Sequence, residues 1–189
     1  NESSFIDSTL IRDKQYNYLA GKIIKNSVSK RNNFITLNKG SKHGVAEGMG
    51  VITKQGVIGV IHSVSSHYAI AISLLHRRSA IGIQLKKNNH NGILKWKGFD
   101  YRSATISDFP NHIPISLGDT ITSNSHSVIF PEGIKIGTIK TIQKNKDDGF
   151  LNVSINLFED FNQLKYVYII HSDETAEQLQ MEKEIKEDE

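Results

Sequence analysis

Between residues 18 and 170 the chain consists of short runs in which apolar and polar residues alternate, and this pattern limits the possible folds most. In residues 151–157, Leu-Asn-Val-Ser-Ile-Asn-Leu, every odd-numbered residue is apolar. Such alternation is typical of β-strands that bury one face and expose the other. No long helical pattern lies between the runs, which disfavours a parallel α/β sheet. The sequence therefore predicts an all-β protein.

Twelve strands are predicted, separated by turns rich in Gly, Asn, Asp and Pro. They lie at residues 18–24, 34–37, 50–54, 57–64, 69–74, 80–85, 92–97, 103–107, 120–123, 135–142, 151–155 and 166–170. Many short strands with a turn signal every ~8–12 residues indicate a β-sandwich or small β-barrels. The strand pattern alone leaves both architectures open.

A faint internal repeat favours barrels. GMGVIT (48–53) leads to VIGVI (57–61), and GDTITS (118–123) leads to KIGTI (135–139). Each copy has a glycine inside a strand, which indicates a bend or a close backbone approach. Barrels need such bends to close, so we expect two small six-stranded barrels. The glycines with expected turn or bend roles are Gly40, Gly44, Gly59, Gly118, Gly133 and Gly137.

We expect the chain to divide into four segments. Residues 1–17 have a partly amphipathic pattern and would be the end of an N-terminal helix or a linker, followed by a first barrel at 18–99. The second barrel would occupy residues 100–172, with a boundary near 97–102 that an exchanged strand would shift. Residues 173–189 form an acidic tail of helical composition, which we expect to be flexible.

The net charge of +3 is unevenly distributed, because the tail at 173–189 carries −6 and the rest of the chain +9. A basic body suggests an anionic partner, such as nucleic acid, anionic lipid or an acidic protein face, although solvated lysines explain the same charge. No apolar run approaches the ~20 residues needed to cross a bilayer. The chain begins with Asn1 rather than Met, which is compatible with a membrane anchor upstream.

The sequence contains little that would support catalysis. It has no cysteine, no Walker loop, no Gly-x-Ser-x-Gly elbow and no His-Glu-x-x-His motif. Its eight histidines are scattered along the chain. A two-barrel serine protease would need a Gly-rich turn at its nucleophile, and neither Ser65-Ser66 nor Ser123-Asn124-Ser125 follows such a turn. We therefore expect no enzyme activity, no metal and no cofactor.

Binding of single-stranded nucleic acid is the alternative function. Lys86-Lys87 and Lys95-Trp96-Lys97 combine cations with an aromatic ring, which on an OB-type barrel would stack bases and follow phosphates. We favour the alternative that Trp96 is a core or inter-domain residue whose edges are covered by the lysines. One aromatic residue does not make a stacking platform, so nucleic acid is not the expected partner.

Six motifs, in this order and spacing, resemble the MreC (rod shape-determining) family. They are FITLNKGSKHGV (34–45), GMGVI (48–52), GVIGVI (56–61), GILKW (92–96), GDTITS (118–123) and FPEGIKIG (130–137). Each motif alone is ordinary β-turn chemistry, whereas their order along the chain is specific. The resemblance identifies the chain as the extracytoplasmic region of such a protein.

The resemblance implies a non-catalytic scaffold of the bacterial cell-wall elongation complex, which maintains rod shape. The parent protein would have one transmembrane helix, then a coiled-coil helix, then two β-barrels on the periplasmic side of the inner membrane. The implied partners are the elongation-specific class B penicillin-binding protein, the membrane protein MreD, and further copies of the chain in a homodimer or filament. The family is not known as an enzyme.

A scaffold binds through exposed apolar patches or sheet edges rather than through a pocket. The apolar run that ends in a Pro-Glu-Gly turn is one candidate, and the Phe-Pro pair near residue 110 is another. If these groups are exposed they mark a partner site, and if they are buried they plug the barrel ends. The predicted partner-binding residues are Phe109, Val128, Ile129, Phe130 and Pro131.

Overall fold

The computed structural model describes residues 16–144 and 149–172, and nearly all of their regular structure is β-sheet. The predicted N-terminal helix, apart from its last two residues, and the acidic tail at 173–189 lie outside the described residues. One short 3-10 helix, Ser41–His43, accompanies the strands. The strands are β1 (Asn17–Asn26), β2 (Phe34–Leu37), β3 (Gly50–Ile52), β4 (Val57–Val64), β5 (Ala69–Ser73), β6 (Ala80–Leu85), β7 (Asn91–Lys95), β8 (Ser103–Pro110), β9 (Thr120–Ser123), β10 (Lys135–Lys144), β11 (Phe150–Leu157) and β12 (Tyr166–His171).

The strands close into two antiparallel barrels of six strands each. The order around the first barrel is β1-β12-β3-β4-β5-β2, and the order around the second is β10-β11-β8-β7-β6-β9. Alternate residues point into each barrel, as in β11, where Leu151, Val153 and Ile155 are buried. All twelve predicted strands occur, and the predicted all-β architecture of two six-stranded barrels is confirmed.

The barrels do not divide the chain at the predicted boundary near residues 97–102. Strands β6 and β7 precede that boundary but belong to the second barrel. Strand β12 follows the second barrel in sequence but belongs to the first, where it pairs with β1 and β3. The predicted division into 18–99 and 100–172 is therefore wrong, because alternation identifies a strand without identifying its partners.

The internal repeat is visible in the topology. Strands β3, β4 and β5 occupy the positions in the first barrel that β9, β10 and β11 occupy in the second. Gly59 in β4 and Gly137 in β10 lie at equivalent places beside a bulge. An added Cβ would lie 2.1 Å from the backbone oxygen of Ile72 or Asn156 in the next strand. The predicted close backbone approach is confirmed at both glycines.

The four predicted turn glycines lie in connections between strands. Gly44, Gly118 and Gly133 have φ angles of 83°, 83° and 88°, in the left-handed region that glycine adopts most readily. At Gly40 the constraint is space, because an added Cβ would lie 2.2 Å from the Ser65 carbonyl oxygen. The turn roles expected for these glycines are confirmed.

Apolar side chains of both barrels form one continuous buried cluster. Two crossover segments also connect the barrels, residues 74–79 between β5 and β6 and residues 158–165 between β11 and β12. Burial of apolar surface is the main stabilising contribution, at about 25 cal/mol per Å² removed from water. Fully buried side chains include Ile35, Leu37 and Ile58 in the first barrel and Ile83, Leu94 and Ile106 in the second.

Candidate interaction surfaces and the joint between the barrels

The connection between β9 and β10, residues 124–134, packs against the first barrel, and we call it the joint loop. Its Phe130 is 2% exposed, and the ring lies over Gly50 of β3, where an added Cβ would come within 2.8 Å of Cε1. An added Cβ on Gly56 would lie 2.3 Å from the Lys135 carbonyl oxygen at the end of the loop. The joint loop therefore fits closely against backbone that carries no side chain.

Hydroxyl groups hold the joint loop in shape. The Ser123 hydroxyl donates to the Pro131 carbonyl oxygen at 2.5 Å and accepts from the Ile134 N–H at 2.9 Å. The Ser127 hydroxyl accepts from the Phe130 N–H at 3.0 Å. These hydrogen bonds fix the backbone on both sides of Phe130 and so keep its ring in the joint.

Three of the five predicted partner-binding residues are buried. Phe109 in β8 is 1% exposed inside the second barrel, and Phe130 and Pro131 are buried at the joint. The alternative given for buried groups applies to these three, because a barrel end and a barrel joint both bury apolar side chains that reach them. Their contact with a partner stays a prediction. Val128 and Ile129 are half-buried, and partner contact by these two stays a prediction.

Sequence reasoning missed the role of the joint loop, although the internal repeat contained a signal for it. The connection between β3 and β4 has four residues, whereas the equivalent connection between β9 and β10 has eleven. A tight turn needs no more than the shorter length. The extra residues in the second copy therefore marked a segment with its own packing role.

The second crossover is fastened to the first barrel. The Asn26 side-chain amide donates to the Phe161 carbonyl oxygen at 2.5 Å, and Phe161 is fully buried. The Thr53 hydroxyl donates to the carboxylate of Glu159. Burial raises the pKa of Glu159 above its usual value, and the hydrogen bond from Thr53 partly opposes this rise. The crossover thus contributes a partly desolvated acid to the joint.

The first crossover contains a buried histidine. The His76 ring makes an edge-to-face contact with Phe34, with ring centroids 5.0 Å apart. Its Nδ1 accepts a hydrogen bond from the Arg78 N–H at 2.9 Å. Burial lowers the pKa of His76, and the positive charges of Arg78 and His62 lower it further. A neutral, fully packed imidazole of this kind has a structural role in the crossover.

The aromatic residue of the nucleic-acid hypothesis is a core residue. Trp96 is 5% exposed, and its indole N–H donates to the Asp100 carbonyl oxygen at 2.8 Å. Of the lysines near it in the proposed face, Lys87 forms an ion pair with Asp119 at 2.5 Å. A ring buried in this way cannot stack on bases, so the face lacks the platform that single-strand binding requires.

The surface of the described residues carries several open clefts. Three clefts, of about 580, 420 and 330 Å³, are lined by cationic, aromatic and apolar side chains together with His62 and several neutral polar side chains, and none of the three contains a carboxylate. Among residues 16–144 and 149–172 no three His, Asp or Glu side chains cluster as metal ligands would. No helix in the same residues has the length and apolar character needed to span a membrane.

The fold and surface define a tandem β-barrel protein whose two barrels are joined by the joint loop and two crossovers. The family model described as "Rod shape-determining protein MreC, barrel core" matches residues 23–171. The chain therefore belongs to the MreC family, as the sequence motifs predicted.

Curated relatives show the same likeness at low identity. The cell shape-determining protein MreC of Haemophilus influenzae is 24% identical over 136 residues, which cover 72% of this chain and 38% of that protein. MreC of Bacillus subtilis is 28% identical over 144 residues, covering 70% of this chain and 49% of that protein. The chain thus spans less than half the length of these relatives.

Solved structures share the fold. MreC from Pseudomonas aeruginosa superposes with a TM-score of 0.75 at 22% identity, covering 81% of this chain and 98% of that chain. A chain in the complex between penicillin-binding protein (PBP2) and MreC from Helicobacter pylori superposes with a TM-score of 0.68 at 16% identity, covering 84% and 99%. At these identities the likeness establishes the architecture of the two barrels and no more.

Proposed function

We propose that this chain is a non-catalytic scaffold of the cell-wall elongation complex, which helps to maintain rod shape by binding the elongation-specific class B penicillin-binding protein. The observation that carries the proposal is the family match over residues 23–171, which spans all but the first residues of the two-barrel unit. The structural likeness to a chain from a PBP2–MreC complex supports the choice of partner.

The proposal extends to location and assembly. The barrels would lie on the periplasmic side of the inner membrane, attached to it through a membrane-anchored parent chain. An MreD-type membrane protein and further copies of the chain, in a homodimer or filament, would be additional partners.

The half-buried side chains of the joint loop are the proposed place of contact. Val128 and Ile129 are partly exposed next to the buried Phe130. Apolar groups at the rim of a packed core lose little entropy on binding, because the hydrogen bonds of the joint loop already hold the backbone in place. Binding at this place would also depend on how the two barrels are arranged, because the joint loop packs between them.

The test is a calorimetric titration of the 189-residue chain with the soluble extracytoplasmic part of the host's elongation-specific penicillin-binding protein. We expect saturable binding that survives moderate salt, weakened about tenfold by Val128→Ser. Leu117→Ser, at an exposed residue in the connection between β8 and β9, is the matched control and should bind normally. A folded chain that does not bind an active partner would refute the partner assignment.

A further inference from the structure

Charge is divided very unevenly within the barrels. Between Asp13 and Asp100 the chain has fourteen lysines and arginines and one acid, Glu47. This stretch contains the first five strands of the first barrel and the first two strands of the second. A surface with so little compensating negative charge attracts an anionic partner and gives that attraction a strong dependence on salt.

The outer face of β7 and the connection after it concentrate this charge beside apolar groups. Four alternate residues are exposed, Ile93 and Lys95 in β7 and Lys97 and Phe99 in the connection that follows it, and we call them the β7 stripe. Phe99 is 93% exposed, whereas the next most exposed large apolar side chain among the described residues, Tyr166, is 69% exposed. Small residues stand opposite the stripe, with Gly82 and Ser107 facing Ile93 and Ala80 and Thr105 facing Lys95. Ile93 and Lys95 therefore project above their neighbours.

A cleft of about 330 Å³ opens beside Phe99 at the junction of the barrels, and Arg31, Arg77 and Lys97 line it. The Arg77 N–H donates to the Arg31 carbonyl oxygen at 3.0 Å, which holds the two arginine-bearing segments together. Among the described residues no carboxylate forms an ion pair with these three cations. The acid nearest in sequence, Asp100, accepts a hydrogen bond from the Arg102 N–H at 2.9 Å.

We propose that the β7 stripe and the arginines of this cleft form a contact surface for an anionic phospholipid bilayer. Phe99 would enter the boundary between headgroups and acyl chains, and Arg31, Arg77 and Lys97 would bind lipid phosphates. An acidic peptide fits the cations but not the nearly complete exposure of Phe99, because a peptide anchor site is concave. This inference is independent of the proposed penicillin-binding protein, so each can fail alone.

Trp96, the one tryptophan of the chain, lies in the wall of the same cleft and reports directly on it. The experiment mixes the 189-residue chain with vesicles of phosphatidylcholine alone and with vesicles of equal parts phosphatidylcholine and phosphatidylglycerol. Binding is measured by co-sedimentation and by Trp96 fluorescence at several salt concentrations. We expect binding to the anionic vesicles alone, with a shifted Trp96 emission, and loss of that binding at high salt.

Two variants separate insertion from charge. Phe99→Ala should weaken partitioning about tenfold or more, because it removes the apolar group that enters the bilayer. The pair Arg31→Gln and Arg77→Gln should weaken it roughly fivefold for each charge removed. The matched controls are Leu117→Ala and the pair Lys42→Gln and Lys86→Gln, which lie in connections at the other ends of the strands and should bind almost normally.

Three results would overturn the proposal. The first is no binding to anionic vesicles by a folded chain, and the second is binding that Phe99→Ala leaves unchanged. The third is a Trp96 response to soluble glycerophosphoglycerol or to polyglutamate that matches the response to vesicles. That result would assign the cleft to a soluble anion or an acidic peptide instead of a bilayer.

Discussion

The two barrels have the same arrangement of strands but obtain it from the chain in different ways. The second barrel is continuous in sequence, from β6 to β11. In the first barrel, β12 fills the position that β6 fills in the second, so this barrel closes only when the end of the described chain returns to β1 and β3. The second barrel is thus an insertion into the first, and the first depends on long-range pairing that the second does not need.

This difference also explains where the joint is reinforced. Both crossovers and the joint loop bring backbone of one barrel against the other, and Phe130 and Phe161 are buried at these contacts. A strand that must return across an inserted barrel pays a loop-closure cost, which grows slowly with loop length. Packing at the joint offsets that cost by holding the second crossover in place before β12.

The largest effect is expected from removing β12. A chain that ends at residue 165 lacks the strand between β1 and β3 and its buried Val167, Ile169 and Ile170. Each such side chain contributes about 1.5–3 kcal/mol when buried, so their sum approaches the whole stability of a domain. We expect amide exchange protection to disappear from β1 to β5 and to persist in β6 to β11.

A chain that ends at residue 172 is the control for that truncation, because it loses the acidic tail but keeps β12. Its exchange pattern should equal that of the full chain. Equal loss of protection in both barrels after truncation at 165 would contradict the comparison, since it would mean that the continuous barrel cannot fold alone.

Phe130→Ala and Phe109→Ala compare the joint with the interior of one barrel. Both rings are almost fully buried, so each change should cost about 3–5 kcal/mol. Loss of the Phe109 ring should destabilise the second barrel, whereas loss of the Phe130 ring should destabilise both barrels, because that ring also covers Gly50 of the first. Urea unfolding combined with amide exchange in each barrel measures these effects. If Phe130→Ala increased amide exchange in the second barrel only, the assignment of Phe130 to the joint would be wrong.

Gly59→Ala and Gly137→Ala test the equivalence of the barrels at matching positions. Each new methyl group would lie 2.1 Å from a backbone oxygen, and relieving that overlap should cost about 1–3 kcal/mol in either barrel. Gly21→Ala in β1 is the control, since its nearest neighbour would be 3.5 Å away, and its effect should stay within about 0.5 kcal/mol. Thermal unfolding of the three variants measures these effects. If alanine were tolerated at Gly59 or at Gly137 but not at both, the two barrels would bend differently at these positions.

The smallest effect concerns Glu159, whose pKa burial raises in the folded chain. Below the ordinary pKa of about 4.3 the carboxyl is protonated in both states. As pH rises above that value, the unfolded chain releases its proton first, so the native chain loses stability until the raised pKa is passed. Glu159→Gln should remove this loss and be more stable than the native chain at neutral pH.

Chemical unfolding at pH values from about 3 to 7 measures the Glu159 effect, across the ordinary pKa of the carboxyl. The variant Glu47→Gln, at an exposed position, keeps Glu159 and should lose stability with rising pH as the native chain does, so it serves as the control. A Glu159→Gln chain that loses stability at neutral pH would mean that the hydrogen bond from Thr53 outweighs desolvation.

Much of the fold followed from local features of the sequence. Alternation placed all twelve strands, with ends displaced by at most three residues at 103–110, and the strand glycines at 59 and 137 marked the bends. These features depend only on residues that are close in sequence, within one strand and its adjoining turn. The six family motifs could also be recognised from local sequence, because each consists of a turn or the start of a strand.

The candidate sites were harder to predict, since they depend on which surfaces meet. Phe109 and Phe130 belong to apolar segments that the sequence could not assign to surface or core. In the structure both are buried, while Phe99, which no motif singled out, is the most exposed large apolar residue described. Exposure is decided by neighbours that are distant in sequence, such as Gly50 under the Phe130 ring.

The sequence by itself determined the strands, their inward faces, the turns and the charge imbalance, since all of these arise from residues within a few positions of each other. Only the tertiary structure decided that β12 completes the first barrel, that the joint loop plugs the space between barrels, and that Phe99 stands exposed beside three cations. The physical reason is that hydrogen-bonding edges of strands are alike, so a strand's partner is selected by the packing of the whole core.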